Sequence, residues 1–207
     1  MYSLAFGIGT KNARDEWLEV YYPAPLFKPD DKLTSAVAEV LGYDGGNCDI
    51  NLDDSTIEKP LTAVQDPAQQ HILSMMKGST RPCVACLLDT DSKPEGTAEV
   101  YLKLHLLSHR FVKPNEQNLD DLYALLPNVA WTEVGAVDLD ELTDLQLKAR
   151  TEGRVLEVSA IDKFPKMTNY VAPAGVRIAH SARVRLGAYL GEGTTVMHEG
   201  FVNFNAG

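Results

Sequence analysis

The spacing of apolar and polar positions changes character along this chain, and each change predicts an element. SLAFGIGT and WLEVYYPAP are rich in β-branched and aromatic residues around the polar turn KNARDE, so both read as strands. Asp30 and Asp31 are placed to cap a helix through LTSAVAEVLGY, which Gly45-Gly46 would end; residues 47–60 read as an irregular connection. A helix is expected from Gln65 to Met76, then a strand around Val84 to Leu88. TAEVYLKLHLLSHRFV mixes both periods, with apolar residues at 100, 102, 104, 106 and 107; its length and its Ala, Leu and Lys content favour helix. Asn118 would cap a short helix closed by Pro127, and Asp138 or Asp140 a longer one ended by Gly153. RVLEVSAIDKFPKMTNYVAP has strand character and then two prolines.

Beyond it the period becomes six. Ile178, Val184, Leu190, Val196 and Val202 are aliphatic, and four residues after each come the small Ala182, Ala188, Thr194, Gly200 and Ala206. A hexapeptide period fits neither a helix nor a simple strand and marks a parallel β-helix. The expected fold is therefore an α+β N-terminal domain followed by the first coils of a β-helix. The expected division is residues 1–150, a connecting segment 151–175, and a repeat segment 176–207 that runs into the terminal Gly207, as if the chain were the front part of a longer protein.

Charge narrows the function. The 207 residues carry a net charge of −10, and the repeat carries +1 (Arg177, Arg183 and Arg185 against Glu192 and Glu199), leaving −11 on the first 170. That balance argues against general nucleic-acid binding and directs any anionic ligand to the repeat. No apolar run is long enough to cross a membrane, and MYSLAFGIGTKN lacks the parts of a signal peptide, so a cytoplasmic location is expected.

Candidate chemistry in the N-terminal part is thin. Cys83 and Cys86 form a C-x-x-C within an apolar segment that reads as a buried strand, where positions three apart face opposite ways. With no second ligand pair, they are expected to be structural. His105 and His109 share a helix face at a spacing that suits a metal pair, but without the Glu of H-E-x-x-H they read as buried or capping residues. The glycines of GYDGGN and GIGTKN match no phosphate-binding fingerprint. In the tail, His198 and Glu199 fall between two core positions, and Asn203 and Asn205 follow. A carboxylate there suits a proton or a hard cation and amides suit a polar substrate; equally, the asparagines suit backbone bonds at turns.

YLKLHLLSHRFVKP, LLPNVAWTEVGAVDL, DKFPKMTNYV and GVRIAHSARVRLGAYLGEGTTVMHEGFVNFNAG together resemble the long-form tetrahydrodipicolinate N-succinyltransferases of bacterial lysine biosynthesis. The resemblance implies a left-handed β-helix, a homotrimer with active sites between neighbouring β-helices, and succinyl transfer from succinyl-CoA to the amino group of L-2-amino-6-oxopimelate. It places the catalytic glutamate, in an M-[VI]-E-G-R motif, beyond Gly207, and the succinyl-CoA site later still. Within this chain it implies Glu199 as a ligand of Mg²⁺ shared among subunits and puts Asn203 and Asn205 near the substrate, whereas Ala182 replaces a companion aspartate. No catalytic residue is therefore expected inside the chain, which would be inactive alone. At about three hexads per coil, as the resemblance implies, the five hexads make fewer than two coils, so residues 176–207 are expected to lack order unless partners hold them. The alternatives are a non-catalytic assembly or regulatory module and a hexapeptide acyltransferase that uses acetyl-CoA.

Overall fold

The computed structural model describes residues 1–207, except for the side chain of Ala182. Strands β1 (Ser3–Lys11), β2 (Trp17–Tyr21) and β3 (Leu26–Phe27) precede helix α1 (Asp31–Leu41). Strand β4 (Cys48–Leu52), helices α2 (Glu58–Ala63) and α3 (Pro67–Met76) and strand β5 (Cys83–Leu88) follow. These strands form one antiparallel sheet in the order β2-β1-β5-β4, with β3 paired to the start of β1.

Alternation along the strands divides the core in two. Leu4, Phe6, Ala85 and Leu87 pack with Val37, Leu73 and Met76 of α1 and α3. Ala5, Val84, Cys86 and Leu88 face the other way, onto helix α4 (Thr97–Ser108). Cys83 and Cys86 are both free and belong to these opposite clusters, as their spacing requires.

Every residue of α4 from Ala98 to Ser108 is buried, the mark of a helix enclosed on all sides. Its polar members are satisfied. Lys103 Nζ donates to Asp91 Oδ1 (2.6 Å) and to the carbonyls of Ser92 (2.7 Å) and Asn118 (2.8 Å), using its three donors. His105 Nδ1 meets the Tyr101 carbonyl at 2.7 Å, and Nε2 accepts from the backbone N–H of Tyr22 at 3.2 Å. Burial pushes this imidazole down to about 3, so it is a neutral structural residue, and His109 is the C-cap.

The rest of the chain contains helix α5 (Leu122–Leu125), strands β6 (Val129–Thr132) and β7 (Gly135–Asp138), helix α6 (Leu139–Thr151), capped by Asp138, and strand β8 (Val158–Asp162). A second, three-stranded sheet has the order β7-β6-β8.

Several sequence expectations are corrected. Helix α1 ends at Gly42, whose left-handed φ of 67° closes the helix before Gly45-Gly46. Residues 47–60 are not irregular, because Cys48–Leu52 alternates inward and outward as an edge strand. Asn118 does not cap a helix; its backbone N–H donates to Asp91, and α5 starts after Asp121, which is itself left-handed (φ 59°).

In the repeat, strands β9 (Arg177–Ile178) and β10 (Thr195–Val196) pair in parallel. Arg177 lies beside Thr195, Ile178 beside Val196 and Val184 beside Val202, each pair eighteen residues apart. Backbone bonds from Arg185 to Val202 and from Tyr189 to Ala206 continue the stacking. The expected lack of order gives way to a different arrangement. Val184, Leu186, Ala188 and Leu190 are buried in the same cluster as α4. Ser108 Oγ donates to the Ala188 carbonyl (3.2 Å) and accepts from the Gly187 N–H (2.9 Å). Arg110 donates to the carbonyls of Leu190 (2.6 Å) and Ala174 (2.8 Å). The apolar flank of the coil is thus closed by the chain's own helix. Among the described residues no helix is long and apolar enough to cross a membrane.

Candidate functional site

A cleft of about 970 Å³ opens where the two sheets meet the first coil of the repeat. Tyr21 and Glu19 of β2, Trp131 of β6, Asp162 at the end of β8, and Tyr170 and Arg185 lie along it. The sheet pairing explains the convergence. β8 runs antiparallel to β6, which delivers Asp162 opposite Val129, and the next turn leads Phe164 and Pro165 toward the coil. Leu186 N–H donates to the Pro165 carbonyl at 3.0 Å, which fastens that turn beside Arg185.

Arg185 organises the coil side. Its Nη2 lies 2.7 Å from Asp162 Oδ2, and its Nη1 donates to Asn203 Oδ1 at 3.0 Å. The guanidinium carbon stands 5.0 Å from the Phe164 ring centre and 5.6 Å from that of Phe201, so the cation is held between two aromatic faces. A guanidinium has five N–H donors, and those left over suit a planar carboxylate or another anion. On the sheet side, Glu19 Oε1 accepts from Thr10 Oγ1 (2.7 Å) and Oε2 from the Tyr170 hydroxyl (3.0 Å). Burial pushes the Glu19 carboxyl above its ordinary range, against the pull of those two hydroxyls.

The three residues singled out in the tail are placed apart. Asn203 belongs to the Arg185 cluster. Asn205, left-handed at φ 55°, is taken up by Asn115: its Oδ1 accepts from the Asn115 N–H (2.8 Å) and its Nδ2 donates to Asn115 Oδ1 (3.0 Å). That pair ties the repeat to the turn after α4. Glu199, also left-handed (φ 64°) with its side chain 81% exposed, forms an ion pair with Arg183 Nη2 at 2.7 Å. Among the described residues no group of three or more His, Cys, Asp or Glu side chains is arranged to hold a metal ion. Ala182, where the resemblance expects an acid in some members, lies outside the described side chains.

Sequence reasoning missed Asp162, Glu19 and Tyr170 and named Arg185 only among the cations of the repeat. Arg185 alone carried a signal, since it stands one coil before Asn203; the others are joined to the site only by sheet pairing.

Residues 126–166 match the family model described as the middle part of tetrahydrodipicolinate N-succinyltransferase. A 2,3,4,5-tetrahydropyridine-2,6-dicarboxylate N-succinyltransferase of Pseudomonas aeruginosa is 58% identical across 100% of this chain. The enzyme of the same name from Vibrio cholerae is 46% identical, again across 100% of the chain. The chain is homologous from end to end to tetrahydrodipicolinate N-succinyltransferases. It spans 61% of the length of these relatives. A crystal structure from Campylobacter jejuni, assigned to the 2,3,4,5-tetrahydropyridine-2-carboxylate N-succinyltransferases, superposes with a TM-score of 0.87 at 23% identity. That alignment covers 100% of this chain and 59% of the other, and it establishes the likeness of fold.

Proposed function

We propose that this chain is part of a cytoplasmic N-succinyltransferase that acylates the amino group of L-2-amino-6-oxopimelate with succinyl-CoA, in the branch of lysine biosynthesis that passes through diaminopimelate. The reading rests on identity of 58% that runs through the whole chain. It is supported by the eighteen-residue stacking, the advance expected of three hexads per coil. In this reading residues 1–150 form an α/β domain, 151–175 connect, and 176–207 open a left-handed β-helix that assembles as a homotrimer.

The chemistry requires the substrate amine to attack the thioester carbonyl; the C–S bond breaks, the amine proton passes to a base, and CoA leaves as its thiol. The base is assigned to no residue of this chain. Asn203 acts through Arg185, holding the guanidinium where it meets a substrate carboxylate, and Asn205 joins the repeat to the N-terminal domain. Glu199 reaches Mg²⁺ only by leaving Arg183 and meeting carboxylates of other copies, so no step is routed through a metal.

The test is thiol release from succinyl-CoA in the presence of the amine substrate. The 207-residue chain alone is expected to give none. A chimera in which it replaces the matching part of the Pseudomonas aeruginosa relative is expected to be active. A folded, trimeric and inactive chimera would overturn the assignment, and turnover by the chain alone would overturn its inactivity.

A further inference from the structure

The sheet side of the cleft contains a carboxyl group that the acyl-transfer reading does not use. Glu19 is only 9% exposed, yet it lies on the cleft wall. Its oxygens are bonded by two neutral hydroxyls, those of Thr10 and Tyr170. Among the described residues it forms no direct ion pair with a lysine or arginine, so a cation in the cleft would make a charge contact that the chain itself does not make.

The surroundings suit a positive guest. The Tyr170 ring sits edge-on to Tyr21 at 6.1 Å, and Trp131 lines the same wall with its indole N–H turned to the Asp162 carbonyl at 3.0 Å. Aromatic faces beside a buried carboxylate are the usual means of holding an ammonium group, since ring quadrupole and carboxylate attract it together. Arg81 is the nearby cation: its charge pulls the Glu19 carboxyl down, but its guanidinium bonds elsewhere, with Nη1 on Thr10 Oγ1 (2.5 Å) and Nη2 on the Val134 carbonyl (2.8 Å). The volume of about 970 Å³ accommodates a small organic molecule.

We propose that the Glu19 end of the cleft is a binding site for a small organic ammonium ion, its nitrogen bonded to the Glu19 carboxylate and its carbon chain against Tyr21, Tyr170 and Trp131. The site is distinct from the Arg185 cluster, which presents a cation and suits an anion. The two ends therefore select opposite charges.

Isothermal titration calorimetry of the 207-residue chain with n-butylammonium chloride tests this, with n-butanol as the uncharged isostere and sodium chloride as the ionic-strength control. Saturable one-site binding is expected for n-butylammonium alone, weakened by about tenfold or more in Glu19→Gln, as loss of a charge-assisted contact requires. Tyr21→Leu leaves the Glu19 bonds in place and is expected to weaken binding by a smaller factor, so the proposal stays testable if Glu19→Gln fails to fold. Amide shift mapping of the wild-type chain should place the perturbations on residues 17–21 and 159–170. Absence of saturable binding, equal affinity for n-butanol, unchanged affinity in both variants, or shifts confined to the Arg185 end would each overturn it.

Discussion

The five-stranded sheet and the terminal coil bury their apolar residues in different ways. The sheet has two faces and a cover for each, α1 and α3 on one side and α4 on the other. The coil stacks one turn on the next only at short parallel pairs, and its inner residues complete their burial against α4. A solenoid is stabilised by repeat-to-repeat contacts, and a segment with fewer than two coils has few of them. Helix α4 supplies contacts that further coils supply in a longer solenoid. It belongs to both regions, which explains why it is buried all round while α1 and α3 are amphipathic.

The strongest challenge to this comparison is a change in α4 itself. Lys103→Met removes the donor from Asp91 and from two carbonyls in a fully buried position. Leaving such partners unpaired costs about 3–5 kcal/mol. The urea midpoint should fall sharply with little change in m, and hydrogen exchange should rise in the sheet and the coil together. Loss confined to one of them would show that α4 is not shared in the way described.

A change at the junction should separate the regions. Gly187 has φ 92°, and a Cβ there would stand 2.5 Å from Leu104 Cδ2 and 2.9 Å from Phe204 Cβ. Gly187→Ala combines an unfavourable backbone conformation with overpacking, about 1–3 kcal/mol. The expected readout is faster exchange across 176–207 while β1 and β5 remain protected. Equal loss in both would mean that the molecule opens as one unit and that the two modes of burial are not energetically distinct.

The same contrast explains what could be read in advance. The coil announced itself because its period is local: Ile178, Val184, Leu190, Val196 and Val202 need only each other to be recognised. The strands at 3–11 and 83–88 and the helices at 67–76 and 97–108 were likewise carried by local pattern. Strand β4 was hidden by Asp49 and Asn51, residue types poorly suited to strands, although they only occupy the outward positions of a regular alternation. The β6–β7 hairpin is too short, at four residues a strand, to show a period. Its pairing with β8, across the segment expected to be a connection, is non-local. The site follows the same logic. Asn203 was named and Arg185 follows from the coil period, whereas Asp162 and Glu19 reach the cleft through sheet register.

Acid probes the sheet side of α4 through His105. His105 is bound to Tyr22 of the chain just after β2 and is pushed by burial from an ordinary 6.5 to about 3. Between those values the unfolded chain takes up a proton that the folded one refuses, so stability falls as pH drops from about 6.5 toward 3, by roughly 1.4 kcal/mol per pH unit. Glu19 acts in the opposite sense, because its raised carboxyl keeps a proton in the folded state that the unfolded chain has released. The difference between wild type and His105→Gln in denaturant titrations at pH 5 and pH 7 isolates the histidine. The variant should have the flatter acid limb. If the two limbs coincide, the buried imidazole is not what ties the sheet to α4 in acid.

The smallest effect belongs to the tail. Glu199 pairs with Arg183 across the coil surface, but its side chain is 81% exposed, and such pairs contribute about 0–1 kcal/mol. Glu199→Gln should therefore leave the urea midpoint nearly unchanged, and raising the salt concentration should erase what difference remains. A larger loss would mean that the coil is held by its charges as well as by α4, and the comparison would have to be redrawn. A negligible loss would show that the Glu199 carboxylate contributes little to the stability of the coil, as its exposure requires.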